Sequence, residues 1–118
     1  LSIKMSGQTP QYLTWLQASV GQNIQMVSVD EVLYCVSDEK YTRIQTLNQE
    51  LLIRKPIKEL VENLDPQIFW QIHRSTLVNV KAIAGVQRDE RGRQEVLIKG
   101  RSEKLAVSRS SANLFRAM

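Results

Sequence analysis

Apolar residues in this chain recur in short runs of period two, cut by polar or glycine-containing turns. Ile24 and Met26 alternate with Gln25 and Val27. Tyr41, Arg43, Gln45 and Leu47 alternate with Thr42, Ile44 and Thr46. Such alternation marks a strand with one face in and one face out. We read strands over 12–20, 24–29, 34–36, 41–47 and 50–54. Gly21-Gln22-Asn23 and Asn48-Gln49 are the turns between them, and Asp30-Glu31 caps a helical turn at Val32 and Leu33. One internal stretch changes period. Ile57, Leu60, Val61 and Leu64 fall at i, i+3, i+4 and i+7, the stripe of a two-turn helix that covers a core. Pro56 suits its first turn and Asp65-Pro66 stops it.

The second half returns to period two. Trp70 and Ile72 alternate with Gln71 and His73; Arg74-Ser75-Thr76 breaks the apolar pattern, and Leu77, Val78 and Val80 resume it around Asn79. A polar break between two apolar runs sets one guanidinium on a short, stiff connection. Further strands are expected over 81–87, 94–99 and 105–107, with turns at 89–92 and 100–102. Ser108 is placed to cap a last helix, with Ser111, Leu114, Phe115 and Met118 on one face. Eight to ten short strands and one or two short helices predict a mainly β fold of packed antiparallel sheets. Trp15, Trp70 and Phe115 are expected in its core. Residues 1–11 are polar and read as a linker or tail, which leaves 12–118 as a single domain.

Composition changes this picture in one respect. The net charge of +4 conceals an asymmetry: residues 1–66 carry six Lys/Arg against eight Asp/Glu, and residues 67–118 carry ten against four. A basic half joined to a mildly acidic half is what a one-sided polyanion surface requires. No apolar run approaches the roughly 20 residues of a membrane span, and no basic-then-apolar leader is present. We expect a cytoplasmic protein without a membrane role. The single Cys35 lies in an apolar run and is expected to be a buried, inert thiol. A start at Leu1 leads us to expect a piece of a longer protein whose missing part is N-terminal.

Nothing in the sequence assembles a catalytic centre. His73 is the only histidine and lacks the spacing partners of a zinc site; Gly85, Gly92 and Gly100 are isolated turn residues, not a phosphate loop. No cofactor and no metal are expected, and His73 is read as a hydrogen-bonded structural residue. What remains is binding. Cations on connections can reach a groove: Lys40, next to Tyr41, then Arg74, the arginines at 88–93, Arg101, Lys104 and Arg109. Of these, Arg88, Arg91 and Arg93 are read as solvated turn charges.

The residues Phe69, Ile72, His73, Arg74, Ser75, Val78 and Asn79, with Val107-Ser108-Arg109 near the end, carry a resemblance. The chain resembles the LytTR family of DNA-binding domains from Tyr12 to Met118, although Gln71 stands where that family often has Arg. The resemblance implies an elongated three-sheet fold that presents loops, rather than a helix, to DNA. Carried onto this chain, it implies base contacts from Tyr41, Arg74 and Arg109, with Lys40 alongside. To these we add Lys40, Arg101 and Lys104 as phosphate neutralisers, and we expect Asn79 to satisfy backbone groups instead of touching DNA. It further implies the output domain of a bacterial two-component response regulator. An N-terminal receiver domain would precede it, and two copies would sit on a direct-repeat promoter site in double-stranded DNA. A small RNA-binding β domain and a protein-interaction or ligand-sensing module with a basic face are the alternatives.

Overall fold

The computed structural model describes residues 11–117. Residues 1–10 of the linker or tail expected at 1–11, and the place of Met118 on the last helix, lie outside them. Strands β1 (Trp15–Val20) and β2 (Asn23–Ser28) form a hairpin. Strands β3 (Val32–Asp38), β4 (Tyr41–Thr46), β5 (Glu50–Ile53), β6 (Phe69–His73) and β7 (Thr76–Asn79) form a five-stranded antiparallel sheet in the order β5-β4-β3-β7-β6. Helix α1 (Ile57–Asn63) connects β5 to β6. Strands β8 (Ile83–Arg88), β9 (Gln94–Ile98) and β10 (Lys104–Ala106) form a three-stranded meander. The mainly β, three-sheet expectation holds, and the molecule is elongated, 54 × 41 × 25 Å along its principal axes.

The five-stranded sheet is the middle layer, and alternation along β7 shows why. Leu77 packs with Leu16, Val27, Ile44, Leu60 and Leu64, beneath the β1–β2 hairpin and α1. Val78, the next residue, packs with Ile72, Val96 and Ile98, against the meander. With both faces covered, all four residues of β7 are buried. The helical stripe behaves as read: Leu60 and Leu64 are buried, and Ile57 and Val61 pack beside them.

Four details depart from the sequence reading. The helical turn expected at Val32 and Leu33 lies earlier, at Val29–Glu31, because the Ser28 side chain accepts from the Asp30 N–H (3.3 Å), while Val32 is already in β3. The strand expected from Lys81 begins at Ile83, since Val80–Ala82 coils into a 3-10 turn capped by the Asn79 side chain. The last helix is a 3-10 helix, Arg109–Leu114; Ser110, Ser111 and Asn113 are poor helix formers that compete for backbone groups. Trp15 is 52% exposed, because the hairpin register turns Leu16 and Ala18 inward and Trp15 out. Trp70 and Phe115 do pack together, with ring centroids 5.7 Å apart. Cys35 is fully buried as expected, and burial pushes its thiol up to about 12. No helix among the described residues is long and apolar enough to cross a membrane.

Candidate nucleic-acid interface

The site begins with an irregularity in β6. The β6–β7 ladder runs Trp70 to Val78 and Gln71 to Leu77, then skips to His73 and Thr76, leaving Ile72 as a bulge. A bulge drops a residue out of the ladder and frees its backbone groups. The freed Ile72 carbonyl accepts the Ser108 N–H at 2.8 Å, and the Gln71 carbonyl accepts the Ser111 hydroxyl at 3.1 Å. The start of the last 3-10 helix is thus stapled to the strand that ends in the Arg74-Ser75 turn. Arg109 follows the first staple by one residue and Arg74 follows Ile72 by two, so the fold brings these two arginines to one edge.

The same edge collects two more connections. Val36 pairs with Thr76, and the Ser37 N–H donates to the Ser75 carbonyl at 2.8 Å, which sets the β3–β4 turn beside the β6–β7 turn. That β3–β4 turn is two residues long, and Glu39 closes it at φ 45°, a left-handed conformation that costs a non-glycine residue about 1–2 kcal/mol. Lys40 is exposed at its tip. In the meander, the β8–β9 turn and the exit of β10 necessarily lie at one end, because alternate connections of an antiparallel sheet share an end. Val107 donates to the Gln94 carbonyl at 3.1 Å and closes that corner.

Between the last 3-10 helix and the β8–β9 turn lies an open concavity of about 550 Å³, whose lining includes His73, Arg88, Arg91, Arg93 and Arg109 and no carboxylate. Asp89 shapes the turn that bounds it. Its Oδ1 accepts the Arg93 N–H at 2.8 Å and the Arg91 N–H at 2.9 Å, and its Oδ2 lies 3.1 Å from Arg93 Nε. These bonds, the Arg93 N–H foremost, hold its carboxyl below the usual carboxylate range. Gly92 closes the turn at φ 80°, open to glycine without strain. Arg93 is therefore paired, whereas no ion pair involves Arg74, Arg88, Arg91, Arg109 or Lys40 among the described residues. Local sequence makes Arg88 and Arg91 mere turn charges; strand order, which places their turn beside Arg109, is the signal that reading lacks.

Other residues lie elsewhere. Tyr41 is 41% exposed and lines a separate groove with Gln17, Ser19, Leu52 and Arg54. Arg101 and Lys104, expected as phosphate neutralisers, lie toward the opposite end of the sheets from Arg74 and Arg109, at the exit of β9 and the start of β10. Arg101 is held there in an internal cluster: its Nε lies 2.6 Å from Glu103 Oε2, its Nη1 donates to the Leu47 carbonyl at 3.3 Å, and the Tyr34 hydroxyl donates to the same Glu103 oxygen at 2.7 Å. Partial burial acts to raise the Glu103 pKa, but the hydrogen bonds from Tyr34 and Arg101 outweigh it and hold it below the usual range. Burial first, and then Glu103, push Tyr34 up to about 12. A lowered carboxylate contributes stability above its unfolded pKa, about 4.3, and loses it as pH falls through the folded value. Glu103→Gln is expected to flatten the acid limb of thermal stability, measured by melting curves from neutral pH down through the carboxylate range. An acid limb unchanged by the substitution would remove Glu103 from that role.

His73 and Asn79 serve the backbone. His73 Nδ1 accepts the Ser75 N–H at 3.2 Å and lies 2.9 Å from Ser75 Oγ. Asn79 Nδ2 donates to the Val32 carbonyl at 3.0 Å and its Oδ1 accepts the Lys81 N–H at 2.9 Å, as expected for a residue that satisfies backbone groups.

Comparison with known proteins gives this edge a context. The model of the family described as the LytTr DNA-binding domain matches residues 22–118. An uncharacterized response regulatory protein of Vibrio cholerae is 42% identical over 111 residues, 91% of this chain and 42% of its own length. The positive alginate biosynthesis regulatory protein of Pseudomonas aeruginosa is 30% identical over 95 residues, 80% of this chain and 38% of its length. A CO-responsive transcriptional regulator of Rhodospirillum rubrum is 25% identical over 109 residues, 92% of this chain and 46% of its length. The chain thus spans less than half of these curated relatives. Among solved structures, the LytTr DNA-binding domain of a methyl-accepting/DNA response regulator from Bacillus cereus superposes with a TM-score of 0.78 at 22% identity, covering 88% of this chain and 94% of that one, a likeness of fold.

Proposed function

Because the chain belongs to the LytTr DNA-binding domain family, we propose that its hairpin edge reads double-stranded DNA as the output of a bacterial response-regulator transcription factor. The reading is one of binding, not catalysis. The observation that carries it is the Ile72 bulge, whose carbonyl fastens Ser108 and so holds side by side two connections whose guanidinium groups form no ion pair among the described residues. Arg74 and Arg109 are the base readers, since arginine can bind guanine O6 and N7 bidentately. Lys40, Arg88 and Arg91 neutralise phosphates. Tyr41 meets the duplex at its outer margin, and Arg101 and Lys104 take no part. We further propose that this domain follows a receiver domain in a longer cytoplasmic protein, a reading supported by response-regulator relatives more than twice its length, and that two copies occupy a direct-repeat promoter site.

Selection from a random duplex pool tests the reading, with enrichment of one sequence expected; recovery of an unenriched pool would overturn it. Replacing both Arg88 and Arg91 with Gln is expected to lower the log–log salt slope of binding by about 1.8, roughly 0.9 for each phosphate no longer neutralised, with the selected sequence unchanged. Fluorescence anisotropy at several salt concentrations measures it. A slope that stays put would return both residues to the solvated turn.

A further inference from the structure

The β6–β7 turn that carries Arg74 is poorly suited to its place. Two-residue hairpins favour turns with positive φ at the first central residue, because those match the right-handed twist of the strands. Among the described residues, only Glu39 and glycines have positive φ, so neither Arg74 nor Ser75 supplies it. Backbone pairing alone therefore does not fix how this turn aims its side chains. Hydrogen bonds from outside the ladder replace what the turn lacks: Gln71 Nε2 donates to the Arg74 carbonyl at 3.5 Å, Ser75 Oγ lies 2.9 Å from His73 Nδ1, and two bonds hold the Ser75 backbone. The Ser75 carbonyl is held by the Ser37 N–H at 2.8 Å, and the Ser75 N–H is held by His73 Nδ1 at 3.2 Å. In the second, a histidine performs an Asx-turn, in which a side-chain acceptor at residue i takes the N–H of residue i+2.

We propose that His73 is a positioning residue for base reading: through Nδ1 it fixes the Arg74-Ser75 turn and so aims the Arg74 guanidinium. This rests on the reading that Arg74 contacts bases. An acceptor at Nδ1 leaves the ring proton on Nε2. The ring also lines the concavity shared with Arg109, so a direct contact from Nε2 to DNA is the competing explanation. Asparagine separates the two. Its Oδ1 can accept the same Ser75 N–H, but it has no counterpart of Nε2.

The experiment uses four variants, His73→Ala, His73→Asn, Arg74→Ala and the Ala–Ala double, against the selected duplex and a scrambled one. His73→Ala is expected to reduce the matched-to-scrambled affinity ratio roughly tenfold, about the weight of one positioning hydrogen bond. Scrambled binding and its salt slope should not move. His73→Asn should retain most of the ratio. In the Arg74→Ala background the His73 change should add nothing, since two residues acting as one unit are not additive. Equal loss in His73→Asn and His73→Ala overturns the proposal in favour of direct contact by the ring, and additive loss with Arg74→Ala overturns it as well. Hydrogen exchange of the Ser75 amide is read in the same proteins: faster in His73→Ala and restored in His73→Asn supports the clamp, and unchanged exchange in His73→Ala overturns it. Arg74→Ala without effect on the ratio overturns the base-reading role of Arg74, an outcome the exchange data keep distinct from failure of the clamp.

Discussion

Replacing Asn79 with Ala is expected to lower the unfolding free energy by roughly 2–4 kcal/mol. Asn79 ends β7, the strand buried on both faces, and is 2% exposed. One side chain joins two elements there: Nδ2 holds the Val32 carbonyl where β3 begins, and Oδ1 holds the Lys81 N–H in the turn toward β8. Alanine leaves the buried Val32 carbonyl an orphan, which costs about 1–3 kcal/mol, and takes the acceptor from the part-buried Lys81 N–H, which costs less because water reaches it. It also removes the cap of the 3-10 turn. Thermal melting should fall by roughly 10 °C, given a few degrees per kcal/mol for a domain of this size. Asn79→Asp keeps the acceptor and loses the donor, placing a carboxylate against the Val32 carbonyl, and should fare no better. Urea unfolding of the three proteins measures the differences. A loss under about 0.5 kcal/mol for Asn79→Ala, the range of an ordinary surface change, would mean that water takes over both bonds.

Asn79 also shows what local sequence can and cannot convey. Its role is legible because asparagine in an apolar run has to find partners, and the backbone supplies them. The strands and α1 are legible because burial writes its period directly into the chain: Leu77 and Val78 face opposite cores, and Leu60 and Leu64 lie one turn apart. Trp15 is not legible. Whether a strand turns its odd or even residues inward depends on register with its partner, and a one-residue shift reverses every side chain. The edge itself is half legible. Arg74 and Arg109 carry a motif, but their meeting depends on the Ile72 carbonyl, freed by a bulge that no residue type announces. The surroundings of Arg101 are illegible for a related reason. In sequence it is another turn cation, and only the fold brings Glu103, Tyr34 and the Leu47 carbonyl around it.

Arg109→Ala is expected to weaken binding to the selected duplex about 5- to 150-fold, the equivalent of the 1–3 kcal/mol that a bidentate arginine–guanine pair carries against a wrong base. Binding to a scrambled duplex should weaken far less. Arg109 is exposed and unpaired among the described residues, so its loss should leave the fold and the melting temperature intact. Its backbone is held one residue past the Ser108–Ile72 staple, on a short 3-10 helix fixed a second time through Ser111. The fixed backbone has no further freedom to give up on binding, so only the side chain of Arg109 has to be ordered, and this favours reading over mere attraction. Arg109→Lys separates the two. Lysine keeps the charge but loses the planar fork, so it should recover scrambled binding without the preference. Arg74→Ala is expected to relax preference at a different base pair, because the two arginines leave the edge from different elements. Affinities of each variant on single-base variants of the selected duplex decide the matter. Equal loss on matched and scrambled DNA would make Arg109 a phosphate contact, and loss of preference at the same base pair for both would mean that the two arginines act as one.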